Sequence, residues 1–189
     1  MSSAPESELL PVALARAGDS DAWHRLLRRY QLPLFTFVQE LVRHEATSFD
    51  LVQATFVRAV RHIGTLRDDV RFGSWLFGIA HQLCVQHWRR SGREQPLGDL
   101  LDATPDDNVP DPRDLVLRAE QGEALLALVD ALPPPQRAVL VLHVLEEFSL
   151  EEISGITGAP LGTVKSRLHH AKRALRERLQ LNPPDALAT

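Results

Sequence analysis

With one cysteine, Cys84, the chain has no internal disulfide to form, which fits a reducing compartment. No apolar run is long enough to span a bilayer, and no charged-then-apolar amino-terminal leader is present. A cytoplasmic protein without membrane insertion is therefore expected. Strand-like alternation is missing along the whole length, which leaves helix as the regular element. The chain also lacks a phosphate loop, a nucleophile motif and a carboxylate pair suited to acid–base work, so neither catalysis nor a cofactor is expected. What it does contain, 44% hydrophobic and 24% charged residues in 189, is enough for one medium domain or two small ones. The net charge of −4 is unevenly spread, and its segregation is informative.

Between Ser149 and Leu179 the pattern is densest. Ser149-Leu150-Glu151-Glu152 sets a hydroxyl three residues ahead of a carboxylate, as in a capping box. Leu150, Ile153 and Ile156 then share one apolar side of a short helix. Gly158-Ala159-Pro160 breaks it, because glycine accepts a left-handed turn and proline cannot carry a helix onward. A longer helix starts near Leu161 or Gly162, with Val164, Leu168, Ala171, Leu175 and Leu179 on one side. Short helix, tight turn and long helix make a helix-turn-helix. From Lys165 to Arg178, six basic residues (Lys165, Arg167, Lys172, Arg173, Arg176, Arg178) stand against one acid, Glu177. Alone, such charge is equally a solvated face. In the second helix of a helix-turn-helix, the leading turn lies along base edges in the major groove. Lys165, Ser166 and Arg167, then His169 and His170, are therefore expected to meet DNA.

Upstream, apolar residues at helical spacing predict an all-helical first domain over 9–93. A short helix runs from Leu9 to Gly18, and Asp19 or Ser20 caps the next, which carries Trp23, Leu26, Leu27 and Tyr30. Pro33 suits the first turn of a further helix with Phe35, Phe37, Val38, Leu41 and Val42. The pattern lapses at 45–48 and resumes at Phe49 or Asp50 through Leu51, Val52, Phe56, Val57, Val60 and Ile63. A polar loop, Thr65 to Arg71, precedes a helix with Phe72, Trp75, Leu76, Ile79, Leu83 and Trp88. Residues 94–123 hold nine acids and two bases, and Pro96, Pro105, Pro110 and Pro112 fall there too. A flexible, acidic, proline-containing linker is expected over 94–113. A second domain follows over 114–180, its helix near Leu125, Leu128, Val129 and Leu132 interrupted by Pro133-Pro134-Pro135 before another from Gln136 to Leu145.

These strings carry a resemblance. Leu161-Gly162-Thr163-Val164-Lys165-Ser166-Arg167-Leu168 resembles the "GTVKSRL" signature of the promoter −35 reader in the extracytoplasmic-function group of sigma-70 factors. Asp50-Leu51-Val52-Gln53-Ala54-Thr55-Phe56 resembles their "DLVQETF" clamp-binding helix. Phe72 to Ala80 resembles "FRTWLYRIA", His87-Trp88-Arg89-Arg90 resembles the end of the −10-facing helix, and residues 132–142 resemble "LPPRQREVLLL". The resemblance implies two small helical domains that bind core RNA polymerase at its beta-prime clamp and beta flap. It implies polymerase contacts at Asp50, Leu51, Gln53, Phe56 and Val57. For the −35 duplex it implies Thr163, Lys165, Ser166, Arg167, His169, His170, Lys172, Arg173, Arg176 and His143. For the −10 element it implies Arg61, Arg67, Arg71, His81, Gln82, Trp88, Arg89, Arg90 and Arg93, with an unstacked base captured near the 65–71 loop. An anti-sigma factor is an implied partner, through which the chain is either held at the inner membrane or left free in the cytoplasm.

Other readings account for less of the chain. A stand-alone helix-turn-helix regulator needs only the second domain and leaves the clamp-like helix and long tether without a role. His81-x-x-Cys84-x-x-His87 invites a metal, but steps of three fan the ligands across about 120° of one helix, so no metal is expected. Trp75 and Phe72 read as core; Trp88 stays open between core and base stacking. Ala54 stands where the clamp motif has an acid, and His81 and Gln82 where arginine and asparagine are usual. His143 and His170 replace common arginines. Their neutral imidazoles predict DNA affinity that rises from about pH 8 to pH 6.

Overall fold

The computed structural model describes residues 11–90, 129 and 131–181. The expected tether at 94–113, most of the helix expected from Asp114, and Arg93 lie outside them. Seven α-helices and no strand occur among the described residues: α1 Val12–Arg16, α2 Ser20–Val42, α3 Glu45–His62, α4 Phe72–Arg90, α5 Pro134–Val144, α6 Leu150–Thr157 and α7 Leu161–Leu181. The all-α class and the carboxy-terminal helix-turn-helix match expectation. Ser149 Oγ accepts from Glu152 N while Glu152 Oε2 accepts from Ser149 N, closing the capping box on α6. Gly158 then takes φ 70°, a left-handed backbone that a side chain would strain, and α7 follows.

Four local expectations need correction. Helix α2 runs through Pro33 without a break. Proline inside a helix costs about 3 kcal/mol, but Ala22, Leu26, Leu34, Phe37 and Val38 bury one continuous side on both flanks of it, which outweighs that cost. Helix α3 begins at Glu45, not at Phe49 or Asp50. His44 caps it through Nδ1, which accepts from Thr47 N at 3.3 Å, and Ser48 turns its hydroxyl back to His44 O. The first helix is shorter than expected, and the 65–71 loop is entered through a 3₁₀ turn at Ile63–Thr65 and ends in another at Asp69–Arg71.

Helix α1 packs on α2, and α2, α3 and α4 pack on one another; α5, α6 and α7 do the same. The two groups also meet. Helix α5 lies on α2 and α6 on α4. Phe77 of α4 is fully buried between Phe37 of α2, at 5.4 Å between ring centroids, and Phe148 before α6, at 5.2 Å. Helix α6 lies against Gly78, where a Cβ would make an ordinary contact with Ile156 Cα at 3.9 Å. Beside this apolar seam Arg137 of α5 is buried. Its guanidinium donates to Glu40 O at 2.8 Å, Leu132 O at 2.8 Å and Val129 O at 3.2 Å. Glu40 O belongs to the last turn of α2, where carbonyls have no helical donor, so Arg137 caps a helix of the other group.

Candidate nucleic-acid and partner interfaces

On α7, Val164, Leu168, Ala171 and Leu175 are all buried, so the apolar stripe faces inward. Lys165 and Arg173 are exposed, whereas Thr163, Ser166, Arg167, His169, His170, Lys172 and Arg176 are partly covered. Arg173 pairs with Glu177 one turn on, at 3.6 Å, and Ser166 Oγ donates to Thr163 O. The His169 and His170 rings meet edge-on at 5.7 Å. Burial, then Arg173 and His169, hold His170 below the ordinary imidazole value of 6.5. His143 is partly buried, and its Nδ1 donates to Phe148 O at 3.2 Å, tying α5 to the segment before α6.

On α3 the structure sorts the expected contacts into two sets. Asp50, Gln53 and Val57 are exposed and Leu51 is half-buried. Phe56, expected to touch a partner, is instead 7% exposed and belongs to the core with Val52 and Ala59. Phe49 and Val60 share the outer arc with Gln53 and Val57, at about 100° per residue. The signal for them was present: 49, 57 and 60 are out of step with 52, 56, 59 and 63. Phe49 stacks on Phe35 of α2 at 4.5 Å, widening this apolar strip onto a second helix.

The third surface joins the 63–71 turns to α4. Arg61, Arg67, Arg71, Gln82, Arg89 and Arg90 are exposed; His81 and Trp88 are partly buried. Phe72 is core as expected. Trp75 is half-buried against Phe72 at 5.8 Å and also lines a cavity of about 1140 Å³. Arg67, Arg71, His81 and Gln82 form one wall of that cavity, while Glu151, Glu152 and Ile156 of α6 form the opposite wall. His81 is pushed down to about 4, first by burial and second by the positive charge of Arg167 on α7. Two residues assigned from sequence to different DNA elements are thus electrostatic neighbours here. Cys84 is wholly buried in the α4 core, its thiol pushed up to about 12 by that burial. It packs as a small core residue.

The family described as Sigma-70 region 2 matches residues 26–94, and that described as Sigma-70, region 4 matches 122–175. The chain is 35% identical over 178 residues to the ECF RNA polymerase sigma factor BldN of Streptomyces coelicolor, covering 93% of this chain and 66% of BldN, just under two thirds. It is 30% identical to the ECF RNA polymerase sigma-E factor of Salmonella typhimurium, covering 89% of this chain and 92% of that protein. Among solved structures, CnrH in complex with the cytosolic domain of CnrY is similar in fold, with TM-score 0.66, 21% identity, and coverage of 94% of this chain and 99% of the other. So is the sigma factor RpoE in complex with the anti-sigma factor NepR from Bartonella quintana, with TM-score 0.61, 23% identity, and coverage of 84% and 98%.

Proposed function

The chain belongs to the extracytoplasmic-function sigma factors of RNA polymerase, and from that premise we propose that it binds core polymerase and directs promoter-specific initiation. Its role is regulatory; the chemistry is the polymerase's. The observation that carries the reading is the pairing, in one chain, of an α3 outer face of Asp50, Gln53, Val57, Phe49 and Val60 with a basic recognition helix, α7. The first serves a protein partner and the second a duplex. A stand-alone regulator needs only α7. The loop and α4 read the −10 element, and α7 reads the −35 element, with Lys165 leading and the later cations on phosphates.

This reading requires movement. Elements at −10 and −35 are about 25 base pairs apart, roughly 85 Å at 3.4 Å per pair. In the packed arrangement His81 and Arg167 are neighbours, so the two groups separate when both elements are held. The packed form is the resting state, with α6 over the wall of Arg67, Arg71 and Gln82. An anti-sigma factor is the natural partner for that state, and the fold neighbours CnrH and RpoE were each captured with a partner chain. The working location is the cytoplasm; no helix among the described residues is long and apolar enough to cross a membrane.

Run-off transcription with purified core polymerase on a randomised promoter library tests the reading. Enrichment at two separated blocks is expected. Duplex binding by the chain alone, with no association with core, contradicts it. A second measurement concerns His170. With its imidazole held below 6.5, protonation and the added positive charge come later on acidification than the sequence suggested. The −35 affinity therefore climbs severalfold below about pH 6.5, not across pH 8 to 6. His170→Arg has the higher affinity throughout and a flatter profile, as read by fluorescence anisotropy.

A further inference from the structure

Helix α1 is only five residues long, yet it is firmly seated. Val12 and Ala15 are buried against α2, and Gly18, at φ 92°, returns the chain to Asp19, whose carboxylate caps α2 through Ala22 N at 2.8 Å. The last helical residue, Arg16, points across to the turns before α4. One nitrogen, Nη2, donates to Leu66 O at 3.2 Å and pairs with the Asp69 carboxylate. The segment around these two anchors is closed from within as well. Asp68 accepts from Val70 N at 3.1 Å and pairs with Arg71 at 3.5 Å, Arg71 N reaches Asp68 O, and Ser74 Oγ donates to Arg71 O. Fixed at Leu66 and Asp69, this frame turns Arg67 and Val70 outward, Val70 with 87% of its surface exposed.

We propose that Arg16 is a positioning residue for promoter reading: through Leu66 O and Asp69 it fixes the turn that presents Arg67 and Val70 to the −10 strand. The inference rests on the sigma-factor reading and deepens it, by placing part of −10 specificity in a helix that touches no DNA. A guanidinium suits the task because its planar donors bond a carbonyl and a carboxylate together. The pair is about one-third exposed on each side, so its strength is moderate and its value lies in geometry.

The test uses the full chain with core polymerase. Arg16→Ala is expected to cut run-off from the preferred promoter about fivefold, to flatten base preference in the −10 block, and to leave preference in the −35 block unchanged. Arg16→Lys recovers part of the loss, and the exchange Arg16→Asp with Asp69→Arg recovers more than either single change. Hydrogen exchange on the free protein supplies an independent readout: the Val70 and Arg71 amides exchange faster in Arg16→Ala while the α4 core amides do not. Unaltered exchange at these amides, or equal loss of preference in both blocks, overturns the proposal. A wild-type chain that gives no run-off while its Arg16→Ala variant still loosens the turn defeats the sigma-factor reading, and with it the specificity role, but leaves the brace itself demonstrated.

Discussion

Arg137→Ala is expected to cost about 3 kcal/mol of stability, which in a chain of this size lowers the midpoint of thermal unfolding by roughly 10 °C. Truncation does not simply delete three hydrogen bonds. It leaves the buried carbonyls of Glu40 and Leu132, and the part-buried one of Val129, without this donor, and an unmatched buried acceptor costs more than a matched pair contributes. Of the three, Glu40 O is the informative one, because it lies 97 residues away on the other helical group. Losing its donor uncaps α2 and loosens the seam between α5 and α2 together. Arg137→Lys regains part of the loss, since an ammonium can still reach one or two carbonyls but not in a planar fork. By contrast Arg173→Ala, which removes the partner of Glu177 at 3.6 Å in a pair exposed on both sides, costs under about 1 kcal/mol. Melting curves followed by circular dichroism decide it: equal, small shifts for both alanine variants would mean that the buried fork has no special weight.

Arg137 also shows where sequence reading stops. The capping box at Ser149, the left-handed Gly158 and the inward stripe of Val164, Leu168, Ala171 and Leu175 were all legible, because each is a relation between residues at most a few turns apart. The long-range seam was not. Nothing near Arg137 announces a carbonyl 97 positions upstream, and Pro33 reads as a helix start until burial on both of its flanks is counted. One hint was available in α4. Phe77, Ala80 and Cys84 add a second apolar side to the stripe of Phe72, Leu76 and Ile79, and a helix apolar on more than one side is covered on more than one side. The site showed the same split. Residues of the basic helix were identified by local charge, whereas Arg16 carries no local signal and Phe56 differs from Val57 only by its phase around α3.

Acidification is expected to loosen the seam through His81, and the sign follows from its depressed value. In the folded chain the imidazole stays neutral down to about 4, whereas unfolded it takes its proton near 6.5. Between those values the unfolded state binds more protons, so stability is fully present above about pH 6.5, declines as pH falls, and stops declining from this source below about 4. At about 1.4 kcal/mol per pH unit the whole effect is roughly 3 kcal/mol. Glu146, raised by its own burial near the same seam, acts in the opposite sense and partly masks it. The clean quantity is therefore the difference between wild type and His81→Gln, measured by urea unfolding from pH 7.5 to pH 4. His81→Gln removes the titrating group without adding charge, and the difference should grow in favour of the variant on acidification. Because the second cause of the depression is Arg167, on the other helical group, the same proton that destabilises the fold acts directly on the contact that opens in the proposed promoter-bound arrangement. Arg167→Gln should accordingly raise the value at His81, as read by imidazole proton resonances. If those resonances stay in place in Arg167→Gln and the two unfolding profiles run parallel, His81 is not titrating across the seam.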